Sequence, residues 1–124
     1  MKDEKDLTEK VIGCAIEVHR RTGPGLLESV YERCLAIELK GANIPYETQK
    51  EIPVHYKGVL LDCGYRADMV VEDRLVIELK AADKILPLHE AQLLTYMKLA
   101  GMSLGLLINF NVKLLKDGIK RLVL

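Results

Sequence analysis

The apolar residues in the first forty positions recur at helical spacing and predict two helices. Thr8 could cap the first helix, which extends to about Arg21 and is ended by the segment TGPG (22–25). The apolar face of this helix consists of Val11, Ile12, Ala15, Ile16, Val18 and His19. The second helix is predicted from about Leu26 to Lys40, where Gly41 ends it.

The pattern then changes to short apolar runs that are typical of strands. The segment IPVHY (52–56) alternates, KG turns the chain, and VLLDCGYRADMVV (59–71) returns. The polar segment EDR (72–74) is a turn before the run LVIELKA (75–81).

The last forty residues predict one helix between strands. The third helix runs from Pro87, a residue suited to a first turn, to about Ala100 and ends at Gly101. The apolar run at 104–110 is typical of a buried strand, and 118–124 predicts a last strand at the sheet edge. The order ααβββαββ predicts an α/β or α+β sandwich with a mixed sheet.

Size and charge restrict the class of protein. The 124 residues suit one domain, 1–124, with a real core. Eighteen basic and eighteen acidic residues cancel, so no global positive field favours nucleic acid as a partner. A local basic rim at 113–121 remains open, although a solvated edge is the commoner explanation for such a segment.

The cysteines and the N-terminal segment bear on the cellular compartment of the protein. Cys14, Cys34 and Cys63 are odd in number and contain no CxxC pair, which argues against a disulfide framework or a zinc cluster. The segment MKDEKDLTEK is charged where a signal peptide is apolar, and no apolar run is long enough to span a membrane. We therefore expect a cytoplasmic protein.

Two opposite charges, Glu78 and Lys80, lie at the end of an otherwise apolar strand. If EDR is a three-residue loop, Val71 pairs with Leu75, and the antiparallel register places Asp68 directly opposite Glu78. Lys80 then shares their face, because side chains repeat every two residues. A two-residue loop would instead place the two carboxylates on opposite faces.

Two facing carboxylates repel each other unless a cation or a proton lies between them. Carboxylate oxygens with open positions for water and phosphate suit Mg²⁺, and a nearby lysine can orient a water or stabilise charge on a phosphate. The alternative is a solvated strand end with a cross-strand ion pair. The separation of ten residues between Asp68 and Glu78, across a predicted hairpin, strengthens the metal-site interpretation and leaves both interpretations open.

These residues resemble the signature of the PD-(D/E)XK nuclease superfamily, D-x9-E-L-K across a hairpin. The segment GLLESVY (25–31) also fits the motif of the GxxExxY protein family, with Gly25, Glu28 and Tyr31. The stretches GPGLLESVYE, YRADMVVED and GLLINF resemble that family in the same order. The resemblance extends from about Val11 to Val123.

The resemblance implies a restriction-endonuclease-like core, in which helices flank a central mixed sheet. It also implies that Asp68, Glu78 and the Leu79 carbonyl bind Mg²⁺ or Mn²⁺, and that Lys80 is the catalytic lysine. Ala67 stands where the superfamily signature has proline, a position that varies widely across the superfamily.

Glu28 allows two interpretations. A glutamate in the first turn of a helix interacts favourably with the helix dipole and needs no ligand. However, Tyr31 and Leu35 follow at i+3 and i+7, so Glu28 should face inward, where a carboxylate needs a partner. The resemblance implies that it is the third carboxylate of the metal site.

The third helix carries QLLTY (92–96), in which Gln92 and Tyr96 share one face at i and i+4. Such a pair also occurs often by chance. The spacing resembles the QxxxY element of the exonuclease and recombination-nuclease branches of the superfamily, which implies contact with substrate or positioning of Lys80.

The leading hypothesis is a Mg²⁺- or Mn²⁺-dependent phosphodiesterase that acts on DNA or RNA, with no membrane partner. A rival hypothesis is a non-catalytic scaffold or binding module with a nuclease-like fold, which the neutral charge and the single Phe favour. A different phosphate ester, such as a nucleotide, remains open as substrate. The terminal RLVL strand could pair with a second copy in a homo-oligomer.

Overall fold

The described chain consists of residues 4–62 and 65–124 of a computed structural model, and it forms three helices and seven strands. The helices are α1 (Glu4–Thr22), α2 (Glu28–Gly41) and α3 (Pro87–Ala100). The strands are β1 (Tyr46–Glu51), β2 (Val54–Tyr56), β3 (Val59–Leu61), β4 (Arg66–Val71), β5 (Leu75–Lys80), β6 (Leu104–Asn109) and β7 (Ile119–Val123). A short 3₁₀ helix, Leu115–Gly118, precedes β7.

Five of the strands form a mixed sheet in the order β1-β4-β5-β6-β7. Only the pair β5–β6 is parallel among the described strands, and α3 connects its two members. Side chains on one face pack with α1 and α2, and those on the other face pack with α3. The predicted fold class, a central mixed sheet flanked by helices, is confirmed.

The spacing of buried residues explains why α2 is a helix, and end signals explain the bounds of α3. Tyr31, Leu35 and Leu39 repeat every four residues on α2, and all three are fully buried. The predicted bounds of α3 are confirmed, since it begins at Pro87 and ends before Gly101, which has a φ of 68°.

The start of α1 differs from the prediction. Thr8 does not cap the helix but is buried inside it, because α1 already begins at Glu4. Leu7 is fully buried and extends the apolar face upstream, so packing fixes the first turn. His19 is a core histidine, and its Nε2 lies 2.7 Å from the carbonyl oxygen of Val112.

The strands before α3 number five in the described chain, where the predicted order ααβββαββ has three. β1 (YETQKE) is a polar edge strand, and its sequence therefore lacks the alternation that signals a strand. The predicted strand 59–71 is divided into β3 and β4, and its residues 63 and 64, which include Cys63, lie outside the described residues. Cys14 and Cys34 are free thiols.

β2 and β3 form a separate two-stranded sheet within the connection from β1 to β4. The pairing of β1 with β4 extends as far as the hydrogen bond from the Ile52 N–H to the Tyr65 carbonyl, at 2.9 Å. Tyr56, Val59 and Leu60 on this hairpin are exposed. None of the described helices has the length and apolarity needed to cross a lipid bilayer.

The close packing of α3 on β6 predicts that Gly105→Ala destabilises the protein by roughly 1–3 kcal/mol through overpacking. A methyl group on Gly105 would meet Met97 Sδ and lie 3.3 Å from Leu93. Gly13→Ala is the matched control, because a Cβ at this helical position has nothing within 4 Å. It should be neutral or stabilising by up to about 1 kcal/mol. Urea unfolding measures both, and equal stability of the two variants would contradict the prediction.

Candidate active site

The β4–β5 hairpin has the predicted register, and its three-residue turn is confirmed. The paired residues are Val71 with Leu75, Val70 with Val76 and Met69 with Ile77. In the turn, Glu72 and Asp73 have left-handed φ values of 51° and 55°. The backbone pairing ends one step before Asp68 and Glu78.

At Asp68 and Glu78, hydrogen bonds from backbone N–H groups to side-chain carboxylates take the place of backbone-to-backbone pairing. The Asp68 N–H donates to Glu78 Oε1 at 3.2 Å, and the Leu79 N–H donates to Asp68 Oδ2 at 2.8 Å. Each acidic side chain therefore reaches across to the opposite strand. These two hydrogen bonds hold the carboxyl groups of Asp68 and Glu78 near each other, just beyond the last backbone pair of the hairpin.

Burial and repulsion keep a proton on this pair. Glu78 is only 8% exposed. Burial, and then the neighbouring Asp68 carboxylate, raise the pKa of Glu78 from 4.5 to about 8, while the Asp68 N–H and the Lys80 ammonium act in the opposite direction. At neutral pH a proton therefore offsets the repulsion between the two carboxylates.

Lys80 and Leu79 lie on β5 immediately after Glu78. Lys80 shares the face of Glu78, is half-buried, and forms no ion pair with another described residue. The Lys80 carbonyl accepts the Phe110 N–H at 3.0 Å, on the β6 side. The backbone groups of the preceding Leu79 point to the opposite side, so its carbonyl is directed towards β4 and Asp68.

Glu28, the first residue of α2, also reaches the end of β5. Its Oε2 accepts the Ala81 N–H at 3.3 Å. Tyr31 and Leu35 are fully buried, whereas Glu28 is exposed, because it lies in the first turn beyond the end of the strand. The prediction that Glu28 faces the core is therefore wrong, and the partner of its carboxylate is the backbone amide of the residue after Lys80.

The loop before α2 explains the spacing of glycine, glutamate and tyrosine. Gly25 has a φ of 102°, a conformation that favours glycine. The Tyr31 hydroxyl donates to the Gly23 carbonyl at 2.6 Å and accepts the Leu26 N–H at 3.1 Å. The Tyr31 ring stacks on Phe110 at 4.3 Å between centroids. These contacts fix the start of α2, and with it Glu28.

A cleft of about 390 Å³ lies between α2 and the β4–β5 hairpin. Its lining residues are Glu28, Ser29, Glu32, Gln49, Asp68 and Leu79. Three of these, Ser29, Glu32 and Gln49, were not predicted from the sequence. Glu32 follows Glu28 at i+4, a spacing that could have indicated a second acidic side chain on the same helix face.

Gln49 connects Glu32 to Asp68. Its Nε2 donates to Glu32 Oε1 at 2.7 Å and lies 3.3 Å from Asp68 Oδ1. Burial raises the pKa of Glu32, the hydrogen bond from Gln49 opposes this, and the Asp68 charge adds a smaller upward shift. No sequence signal indicated Gln49, because the strand that carries it was not predicted.

Of the predicted pair on α3, one residue lies near enough to the carboxylates for their charges to act on it. Tyr96 is half-buried, and its ring contacts Tyr65 edge-on at 5.7 Å between centroids. Burial raises the pKa of Tyr96, and the Glu78 charge adds to the shift. Gln92 is exposed, and none of the hydrogen bonds within the described residues involves its side chain.

The donor set fits a hard divalent cation with an open coordination sphere. Among the described residues, no three His, Cys, Asp or Glu side chains lie close enough to form a metal cluster. Mg²⁺, however, keeps several waters and needs only one or two carboxylates from the protein. Asp68 and Glu78 would supply these two, and the Leu79 carbonyl is directed to the same side.

Comparison with known proteins gives one match. The model of the PD-(D/E)XK nuclease superfamily matches residues 5–122, nearly the whole chain. No curated protein and no solved structure matches this sequence.

Proposed function

This chain belongs to the PD-(D/E)XK nuclease superfamily, and on that premise we propose that it is a Mg²⁺- or Mn²⁺-dependent nuclease that hydrolyses phosphodiester bonds in DNA or RNA. The observation that carries the proposal is the reciprocal contact of Asp68 and Glu78, in which each side chain accepts a backbone N–H from the opposite strand. The raised pKa of Glu78, about 8, adds support, since its causes are burial and then the neighbouring Asp68 carboxylate, a combination typical of functional sites.

In this proposal Asp68, Glu78 and the Leu79 carbonyl hold the cation. When bound, the cation polarises a phosphoryl oxygen and makes a water more acidic. Lys80 orients the attacking water and stabilises negative charge that develops on the phosphate. Its ammonium is available for this role because it is not engaged in an ion pair with a described residue.

Three further residues have supporting roles in the proposal. Glu28 supplies an additional carboxylate at the far wall of the cleft and keeps the backbone after Lys80 in place. The Tyr96 hydroxyl donates a hydrogen bond to a substrate phosphate beside Glu78. Gln92, exposed one turn earlier on α3, contacts the substrate farther from the scissile bond.

We further assign the chain to the GxxExxY branch of the superfamily. The support is physical, because each residue of the motif has its own task in the described structure. Gly25 allows a φ of 102°, Glu28 reaches the end of β5, and Tyr31 fixes the loop between α1 and α2. The free thiols of Cys14 and Cys34 agree with a reducing, cytoplasmic location.

A non-catalytic binding module is the second candidate. The equal numbers of acidic and basic residues favour it, since nucleic-acid affinity comes largely from neutralising phosphates. The binding-module hypothesis predicts that the protein binds no divalent cation at the end of the β4–β5 hairpin.

We expect millimolar Mn²⁺ to raise the melting temperature of the protein, because a ligand that binds only the folded state stabilises it. At a free concentration of about 100 times the Kd, the shift should be roughly 5–10 °C. Asp68→Asn should abolish it. Asp73→Asn, an exposed acid in the turn of the same hairpin, is the control and should keep it.

The same proteins should be incubated with labelled single- and double-stranded DNA and RNA. Mn²⁺-dependent cleavage by wild type and Asp73→Asn, but not by Asp68→Asn, supports the nuclease. Absence of both the thermal shift and cleavage in the wild type would favour the binding module.

A further inference from the structure

Gln49 interrupts β1 at the position opposite Asp68. Its φ is 50°, in the left-handed region that few residues other than glycine occupy. The neighbours keep their pairing with β4, Thr48 with Met69 and Lys50 with Ala67. The interruption is therefore one residue wide and occurs at the strand position next to the carboxylate pair.

The unusual backbone directs the Gln49 amide into the cleft. Its Nε2 contacts Glu32 Oε1 at 2.7 Å and Asp68 Oδ1 at 3.3 Å. The other oxygen of Asp68, Oδ2, accepts the Leu79 N–H at 2.8 Å. Both oxygens of the Asp68 carboxylate are thus restrained, one by β1 and one by β5.

A glutamine is suited to this task because its amide is a donor without a charge. A lysine in the same place would neutralise Asp68 and compete with a cation. The amide restrains the carboxylate and leaves its negative charge available. Glu32 holds the amide in turn, since it accepts the shorter of the two hydrogen bonds.

We propose that Gln49 is a positioning residue, whose left-handed backbone places its amide so that it fixes the Asp68 carboxylate for binding a divalent cation. The role of Gln49 in cation binding rests on the proposed function. The restraint that Gln49 places on Asp68 concerns the metal-free protein and can be tested separately.

The alternative is that Gln49 only links α2 to β1. A link of that kind would contribute to stability but would not affect the Leu79 amide or the affinity for a cation. Two variants that both lack the amide separate these effects. Gln49→Met keeps a long side chain and the strained backbone, whereas Gln49→Gly relaxes the backbone. Thr48→Met, at the exposed neighbouring position, is the matched control.

The first measurement is hydrogen exchange of the Leu79 amide by NMR in the metal-free protein. If Gln49 restrains Asp68, its loss lets the carboxylate rotate away from the Leu79 N–H. We expect about tenfold faster exchange at Leu79 in both variants, relative to the amides of Val70 and Val76 in the same hairpin, and no change in Thr48→Met. Unchanged Leu79 exchange in both Gln49 variants overturns the proposal.

The second measurement is the Kd for Mn²⁺ by calorimetry. Loss of a residue that orients a metal ligand typically weakens metal affinity by 10–100-fold, and we expect at least about tenfold in both variants. Equal Kd values in wild type and both variants overturn the role in cation binding. If the wild type binds no Mn²⁺ at all, the proposed function fails and with it this role, while Leu79 exchange still decides whether Gln49 restrains Asp68.

Discussion

Lys80→Ala is expected to lower the single-turnover cleavage rate by about 10²-fold or more, the scale of losing one electrostatic stabiliser. The ammonium lies on the face of Glu78, and its interaction with developing charge is stronger in the transition state than in the ground state. Mn²⁺ affinity should be kept, because a lysine ammonium is a donor and cannot be a ligand. Folding should also be kept, since the side chain is only half-buried at the end of β5.

Lys84→Ala is the matched control, because Lys84 is exposed in the loop after β5. The measurement is cleavage of labelled DNA and RNA with Mn²⁺, together with calorimetry of Mn²⁺ binding. Equal rates for wild type and Lys80→Ala would mean that any cleavage arises at another site. Loss of Mn²⁺ binding in Lys80→Ala would show that the lysine maintains the carboxylate pair and does not act on the substrate.

The second large effect is expected in the pH dependence of stability. The folded protein holds a proton on Glu78 up to a pKa of about 8, whereas the unfolded chain releases it near 4.5. Between these values the native state binds more protons than the unfolded state, so stability falls as pH rises. The contribution is fully present below about pH 4.5 and is lost as pH passes 8, with a total of at most about 5 kcal/mol.

Glu78→Gln should remove most of this slope, because an amide has the shape of the protonated acid and cannot ionise. The variant should therefore be more stable than the wild type at pH 8 and similar to it at pH 5. Urea unfolding at pH 5, 6.5 and 8 with a chelator measures this, with Glu9→Gln as an exposed control on α1. Parallel pH profiles for wild type and Glu78→Gln would show that Glu78 does not carry the proton.

The hairpin that carries the candidate site was predictable because local signals agree there. A polar three-residue turn lies between two apolar runs, and this combination sets the register. Once Val71 is paired with Leu75, the approach of Asp68 to Glu78 follows by counting. α3 was similarly defined at both ends, by Pro87 and Gly101.

Gln49 and Glu32 were missed for different reasons. β1 is an edge strand, in which only Tyr46 and Lys50 are half-buried, so its sequence shows no apolar alternation. The positive φ of Gln49 is imposed by tertiary contacts, since glutamine has no preference for that region. Glu32 had a usable signal, its spacing from Glu28, but a second glutamate on a helix is also typical of a solvated face.

The β2–β3 hairpin is an elaborated loop between two neighbouring strands of the sheet, closed at its base by the hydrogen bond from Ile52 to Tyr65. The entropy lost on closing a flexible loop grows only slowly, by about 0.6 kcal/mol for each doubling of its length. Insertions or deletions at the exposed tip, around Lys57 and Gly58, should therefore change the free energy of unfolding little. Asp68 lies inside β4, beyond the residues that close the loop, so we expect its position to be insensitive to modest changes in hairpin length.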